Sequence, residues 1–143
     1  MKIFKLNTFN EIKDAYLKLK NVFPDLSLQV NINDYFKKIA DNGFTYAIYN
    51  DVQICAIACI YINDFRTKTS FITLIGVHEN YRRKGYAQAL LDYCIKKSEN
   101  AGMQYIKLEV NKNNFSAIKF YKKNQFKKFS EASKNSYYMI KEL

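Results

Sequence analysis

Residues 75–87 read IGVHENYRRKGYA, and this stretch is the most informative part of the chain about its fold. It holds the end of an apolar strand, a loop with three consecutive cations, and a glycine that precedes a strongly periodic helix. The first N–H groups of a helix have no partner inside the helix, and its dipole adds about half a positive charge there. Arg82, Arg83 and Lys84 lie beside that helix start. The residue pattern therefore predicts a phosphate or pyrophosphate site over residues 82–87.

Spacing excludes two common phosphate-binding loops at this position. The GxxxxGK[ST] pattern of nucleotide-binding loops is missing, and so are the three glycines of a dinucleotide-binding fingerprint. On these residues alone, a solvated basic loop before an ordinary helix stays open as the alternative.

Strands and helices alternate on both sides of this stretch. Apolar residues recurring every three or four positions predict helices over about 8–22, 33–41 and 85–100 and a last helix beginning at Asn114. Strands are predicted over residues 2–7, 44–49, 52–62, 68–77, 104–110, 125–130 and 135–141. We expect a single α/β (α+β) domain over residues 1–143, with a mixed sheet of about seven strands and about four helices. The predicted element order is β-α-α-β-β-β-α-β-α-β-β.

The charge balance points to an anionic partner. Lys and Arg number 23 against 13 Asp and Glu, which gives a formal net charge of +10. Such an excess favours a nucleic acid, a phosphorylated small molecule or an acidic surface. A basic nucleic-acid-binding module is one alternative, and its candidate contacts are Lys119, Lys122, Lys123, Lys127, Lys128 and Lys134. No known readout motif accompanies these lysines, so we expect no nucleic-acid partner.

The remaining composition predicts a cytoplasmic protein without a membrane segment. Residues 1–14 lack the apolar core of a signal peptide. The longest apolar run, residues 54–62, is far shorter than the roughly 20 residues that cross a bilayer. Cys55, Cys59 and Cys94 form no CxxC pair, and we interpret them as buried free thiols of a reducing compartment. No metal site is expected.

Two motifs resemble those of one enzyme superfamily. Residues 82–87, RRKGYA, resemble the Q/R-x-x-G-x-G/A signature of the GNAT superfamily of acetyl-CoA-dependent N-acetyltransferases. Residues 114–121, NFSAIKFY, resemble the family's N-x-x-A-x-x-x-Y and are followed by Phe126. The predicted element order is also that of the family, and the resemblance is firmest over residues 70–130. It implies a GNAT fold and transfer of acetyl from acetyl-CoA to a primary amine.

The resemblance implies a set of residues that bind coenzyme A. In the family, the pyrophosphate rests on main-chain N–H groups that match residues 83–88. The pantetheine arm runs beside the strand that matches residues 75–77, and an asparagine that matches Asn114 contacts the cofactor. The implied cofactor-binding residues are Ile75, Gly76, Val77, Arg82, Arg83, Lys84, Gly85, Tyr86, Ala87, Gln88 and Asn114.

The resemblance also implies two catalytic residues. Tyr121 matches the tyrosine taken as the general acid to the leaving thiolate, and a phenol with a pKa of about 10 is protonated at neutral pH. Glu109, within K-L-E-V, resembles the glutamate proposed as the base in the ribosomal-protein N-acetyltransferase branch. A core tyrosine and an ordinary exposed glutamate are the corresponding alternatives. His78 and Glu79 are further candidates for the base.

The chain departs from the family pattern at three places. Gln125 stands where the family usually has glycine, and Glu79 replaces a common proline. Residues 71–77 carry no carboxylate, so deprotonation is left to Glu109, to water or to an amine bound already neutral. The acceptor stays open between a small amine, an amino sugar and a peptide end. A catalytically silent CoA-binding domain is a further alternative, and either a monomer or a homodimer is expected.

Overall fold

The computed structural model describes residues 1–143 and contains one mixed sheet of seven strands. The spatial order is β1-β2-β3-β4-β5-β7-β6, and only β4 and β5 are parallel neighbours. The strands are β1 Ile3–Leu6, β2 Phe44–Asn50, β3 Gln53–Asp64, β4 Thr69–Val77, β5 Tyr105–Asn111, β6 Lys127–Glu131 and β7 Ser136–Glu142. The predicted mixed sheet of about seven strands is confirmed.

Five helices accompany the sheet, one more than the sequence predicted. They are α1 Phe9–Leu19, α2 Leu26–Gln29, α3 Ile32–Asn42, α4 Tyr86–Asn100 and α5 Phe115–Lys123. The additional helix, α2, is a single turn, which is too short to produce a helical repeat of apolar residues. Helix α1 ends before the predicted residue 22, and a 3-10 turn covers Lys20–Val22. Pro24 disfavours helical geometry at Phe23, whose φ and ψ are −122° and 63°.

Helix α1 begins with a capping box formed by Thr8 and Glu11, which are three positions apart in the sequence. Thr8 Oγ1 accepts a hydrogen bond from the Glu11 N–H, and Glu11 Oε1 accepts one from the Thr8 N–H, both at 3.1 Å. Two N–H groups that would lack partners are thereby satisfied. The buried side of the helix consists of Ile12, Ala15, Tyr16 and Leu19. These side chains pack with α3 against one face of the sheet.

Strand β3 lies inside the sheet and is buried on both of its faces. Residues 54–60 are all fully buried. Ile54, Ile57 and Cys59 pack towards α1 and α3, while Cys55 and Ala58 pack on the α4 and α5 side. All three cysteines are buried and unpaired. Burial raises the pKa of the Cys59 and Cys94 thiols to about 12, so these thiols stay protonated and unreactive.

Strands β4 and β5 separate halfway along their length, and this separation creates the site. Residues 69–72 pair with residues 105–108, and no pairing continues beyond them. On the other edge of β4, Ile72 faces Ile60 and Leu74 faces Cys59, so Thr73 is an extra, bulged residue. Past the bulge, residues 73–77 and 109–111 border an opening that we call the wedge.

None of the helices has both the length and the apolar character needed to cross a membrane.

Candidate active site

The main cavity, of about 730 Å³, opens between the end of β4, the first turn of α4 and helix α5. Ten of the eleven residues that the resemblance assigns to cofactor binding line it: Ile75, Gly76, Val77, Arg82, Arg83, Gly85, Tyr86, Ala87, Gln88 and Asn114. Tyr121 lines it as well. Two motifs that are about thirty residues apart in the sequence therefore meet around one volume.

The backbone before α4 presents a row of unpaired donors to this cavity. Gly85 caps the helix with a left-handed φ of 83°, and Arg83 is also left-handed with a φ of 62°. None of the N–H groups of residues 83–88 donates a hydrogen bond within the protein, and the first paired one is that of Ala89, to Gly85 O at 3.0 Å. We call residues 83–88 the donor loop. Six adjacent donors and a helix dipole form a strong anion site.

Two of the three cations of the basic run face the main cavity. Arg82 and Arg83 line it, and Arg82 Nε also donates to Val77 O at 3.4 Å. Lys84 is not part of the lining, and its Nζ lies 5.6 Å from the centroid of the Tyr81 ring.

One edge of β4 offers backbone groups to the wedge. His78 N–H donates to Cys55 O on β3 at 2.7 Å, so the backbone groups of Gly76, two residues earlier, also point towards β3. Those of Ile75 and Val77 consequently point into the wedge. The absence of a side chain at Gly76 has a separate structural reason, because a Cβ there would lie 2.5 Å from the ring of Phe23.

Two amide side chains link α5 to the main cavity. Asn114 Oδ1 caps α5 by accepting from the Ala117 N–H at 3.2 Å, which leaves its Nδ2 without a protein partner. Gln88 Nε2 donates to Asn124 Oδ1 at 2.7 Å, and Asn124 Nδ2 donates to Gln88 Oε1 at 3.1 Å. The Gln88 side chain therefore fixes α4 to α5, and its backbone N–H remains the group available to a ligand.

The Tyr121 ring is buried, and the residue lines both cavities of the site. It is only 7% exposed, and its ring packs against Phe120 and Phe126 with centroid separations of 5.4 and 5.6 Å. Its hydroxyl makes no hydrogen bond within the protein, although it is not fully sealed from the cavity. Burial raises the pKa of Tyr121 above the usual value, so the phenol keeps its proton at neutral pH.

Gln125 has the backbone conformation that would favour glycine at its position. Its φ is 71°, its N–H donates to Lys122 O at 3.0 Å, and the Phe126 N–H donates to Tyr121 O at 2.9 Å. This hydrogen-bond pair is a Schellman motif, and its usual apolar contact is the packing of Phe126 on Tyr121. The left-handed residue therefore helps to hold the ring of Tyr121 in place.

The side cavity, of about 210 Å³, adjoins the main one through shared lining residues that include Phe23, Asn114 and Tyr121. Glu109 lines it, and the Glu109 carboxylate accepts a hydrogen bond from Ser136 Oγ at 2.5 Å. The other two candidate bases, His78 and Glu79, line neither cavity.

The sequence pattern of the acetyltransferase (GNAT) family matches residues 7–126. The chain belongs to this family. The fold and the family expected from the two motifs are confirmed. As a GNAT protein it also has relatives among curated sequences and solved structures.

One curated relative is the probable N-acetyltransferase san of Drosophila melanogaster, 33% identical over 78 residues. This alignment covers 54% of the chain and 42% of the relative, so the chain matches less than half of that protein. The crystal structure of the PaiA N-acetyltransferase from Thermoplasma acidophilum with coenzyme A has a TM-score of 0.75, 16% identity and full coverage of both chains. A ribosomal-protein alanine N-acetyltransferase from Escherichia coli has a TM-score of 0.65 and 19% identity, covering 77% of this chain and 76% of its own.

Sequence reasoning missed three features of this GNAT site. The Gln88–Asn124 amide pair, the contact of Phe23 with Gly76 and the hydrogen bond from Ser136 to Glu109 all join residues far apart in the chain. Local periodicity carries no signal for such contacts. No three His, Cys, Asp or Glu side chains are arranged to hold a metal ion.

Proposed function

We propose that this GNAT protein is an enzyme that transfers acetyl from acetyl-CoA to a primary amine. The acceptor amine belongs to a small molecule, an amino sugar or a peptide. The observation that carries the proposal is the donor loop, whose N–H groups are unpaired and five of whose six residues line a cavity that also reaches Tyr121. An anion-binding end and a proton donor in one cavity suit a phosphorylated acyl donor whose leaving group needs a proton.

Coenzyme A fits the residues that line the main cavity. Its pyrophosphate would accept hydrogen bonds from the donor loop, with Arg82 and Arg83 supplying charge. Its pantetheine amides would find the backbone groups of Ile75 and the N–H of Val77, whose carbonyl oxygen accepts from Arg82 Nε, and Asn114 Nδ2 remains available as a further donor. A relative with this fold is known in complex with coenzyme A, which agrees with this arrangement.

Tyr121 would act as the general acid. The amine nitrogen bonds to the thioester carbonyl carbon, the C–S bond breaks, and the departing sulfur takes the phenolic proton. The raised pKa of Tyr121 keeps that proton in place at neutral pH, and the hydroxyl has no competing protein acceptor. Glu109 would receive the proton that the amine loses, because its carboxylate is the one acidic group that lines the side cavity.

Three further assignments belong to this proposal. We treat residues 1–143 as one domain because the first and last strands lie in the same sheet. We place the protein in the cytoplasm because three buried, unpaired thiols suit a reducing compartment. The expectation of a monomer or homodimer without a nucleic-acid partner stays a prediction.

The test is thiol release from acetyl-CoA with a panel of alkylamines, amino sugars and short peptides. Tyr121→Phe should lower kcat by roughly 100-fold while leaving the Kd for coenzyme A, measured by calorimetry, nearly unchanged. Unchanged turnover in Tyr121→Phe would contradict the assigned acid. Tight CoA binding with no thiol release from any amine would instead favour the catalytically silent alternative.

A further inference from the structure

A chain of hydrogen bonds in the β6–β7 hairpin ends on the Glu109 carboxylate. The Asn135 N–H donates to Ser133 Oγ at 3.2 Å, Ser133 Oγ and Ser136 Oγ are 2.8 Å apart, and Ser136 Oγ donates to Glu109 Oε2 at 2.5 Å. An ionised carboxylate can only accept hydrogen bonds, so the Ser136 hydroxyl donates its one hydrogen to Glu109. Ser133 must then donate to Ser136, and every donor in the chain is directed towards the carboxylate.

The backbone holds this chain of hydroxyls in place. Ser136 is the first residue of β7, it pairs with Asn111 of β5, and its side chain is buried. Its carbonyl oxygen accepts from the N–H groups of Ala132 and Ser133, both at 3.1 Å, which closes the turn. Ser136 Oγ is thus a fixed donor rather than a mobile surface hydroxyl.

Only one oxygen of Glu109 is occupied. Oε2 accepts from Ser136, while Oε1 makes no hydrogen bond or ion pair within the protein. Glu109 lines the side cavity together with Tyr121, and the residue is exposed to solvent. A glutamate so exposed has several rotamers available, and a fixed donor on one oxygen reduces that freedom.

We propose that Ser136 is a positioning residue for Glu109 and that Ser133 orients Ser136. The inference rests on the proposed function, in which Glu109 takes the proton of the attacking amine. A strongly basic amine binds as an ammonium ion and first gives one proton to Oε1 of Glu109. The neutral nitrogen then bonds to the carbonyl carbon, the C–S bond breaks, Tyr121 protonates the sulfur, and the second nitrogen proton leaves to solvent. Ser136 acts through Glu109 by keeping Oε1 in the side cavity.

If Ser136 only secured the hairpin through a hydrogen bond, its loss would slow the reaction equally with every acceptor amine. We compare Ser136→Ala with Ser136→Thr, which keeps a hydroxyl, and with Ser130→Ala as the matched control. Ser130 is exposed on β6 of the same hairpin, and its hydroxyl makes no hydrogen bond within the protein. Thiol release is measured with the most reactive strongly basic amine of the panel and with hydroxylamine, which is already neutral at pH 7, and the uncatalysed cleavage of acetyl-CoA by each amine is subtracted.

Ser136→Ala should lower kcat with the strongly basic amine about 10-fold, with the KM for acetyl-CoA unchanged. The loss with hydroxylamine should be less than about twofold, because a neutral amine depends less on the base. Ser136→Thr should recover most of the rate, and Ser130→Ala should match the unsubstituted protein. Equal losses with both amines, a raised KM for acetyl-CoA or no loss at all would overturn the proposal.

A melting experiment tests the Ser136–Glu109 bond without any acceptor. A double-mutant cycle combines Ser136→Ala with Glu109→Ala. The change in the unfolding equilibrium constant of the double variant should differ by at least about threefold from the product of the changes in the two single variants. Independent effects would overturn the positioning role, whatever the turnover. Failure of the proposed function looks different, since the unsubstituted protein would then release no thiol from acetyl-CoA with any amine, whether or not it binds coenzyme A.

Discussion

The two ends of helix α4 share a backbone conformation but differ in their hydrogen bonding. Gly85 before the helix and Gly102 after it have φ values of 83° and 86°, and a Cβ at either position would meet no atom within 4 Å. After the helix, the Gly102 N–H donates to Glu99 O and the Met103 N–H to Ser98 O, each at 3.0 Å. Before the helix, none of the backbone N–H groups of the donor loop donates a hydrogen bond within the protein.

This contrast separates a structural glycine from a functional one. Both positions favour glycine because the left-handed region is costly for other residues. Only the helix start leaves its polar groups unpaired, and such groups are open to a ligand. The need for glycine therefore says nothing about binding, whereas the unpaired donors beside Gly85 do.

The largest expected effect comes from a charged side chain at the two glycines. Gly85→Glu should weaken coenzyme A binding by at least about 100-fold, because it brings a negative charge to the proposed pyrophosphate position. Gly102→Glu carries the same backbone strain, and its Kd for coenzyme A should stay within about twofold of that of the unsubstituted protein. Calorimetric titration of both variants measures the difference. Equal affinities for coenzyme A in the two variants would contradict the assignment of the donor loop.

Alanine at the same two positions tests the shared conformation. Gly85→Ala and Gly102→Ala should each lower the free energy of unfolding by about 1 kcal/mol, since both side chains are forced into the left-handed region. Chemical denaturation gives both values. A much larger loss at Gly102 would show that the two ends of α4 are not conformationally equivalent.

The basic run at the helix start offers a matched pair for a smaller effect. Arg83→Gln should weaken coenzyme A binding roughly threefold to fivefold, as expected for an exposed charge near a phosphate. Lys84→Gln removes the same charge from a residue that does not line the main cavity, and its effect should be under about twofold. The Kd of each variant for coenzyme A, measured at moderate salt, tests this difference. A greater loss of affinity in Lys84→Gln than in Arg83→Gln would contradict the assignment of Arg83 to the pyrophosphate position.

The end of α5 extends the comparison to a third left-handed residue. Gln125 completes the same type of helix ending as Gly102, with the same pair of hydrogen bonds but without a glycine. Gln125→Gly should raise the free energy of unfolding by about 0.5 kcal/mol, because strain relief exceeds the added freedom of the unfolded chain. Gly102→Gln is the reciprocal variant and should be destabilised. A loss of stability in Gln125→Gly would contradict this interpretation.

The sequence predicted the features that depend on neighbouring residues. The capping box at Thr8, the helix start at Gly85 and the buried central strand follow from spacing within a few positions. The predicted strands 44–49 and 52–62 leave residues 50–51 as the turn between β2 and β3, one residue before the observed turn of Asp51 and Val52. Asp51 has a left-handed φ of 54°, and neither residue is the glycine that marks such turns.

The features that escaped prediction depend on register between distant strands. The bulge at Thr73 is visible only when β3 and β4 are aligned, and the hydrogen bond from Ser136 to Glu109 requires the pairing of β5 with β7. That Arg82 and Arg83 line the main cavity and Lys84 does not is equally impossible to predict, because nothing in the sequence distinguishes three adjacent cations. Composition and periodicity do not encode these contacts.

The most direct test of the donor loop follows backbone amide NMR signals during titration with coenzyme A and, separately, with pantetheine. Coenzyme A should move the amide proton signals of residues 83–88 downfield, as expected when unpaired donors bind a pyrophosphate. Pantetheine lacks that group and should leave these signals in place, and residues 101–103 should respond to neither ligand. Unmoved signals for residues 83–88 at saturating coenzyme A would contradict the central claim.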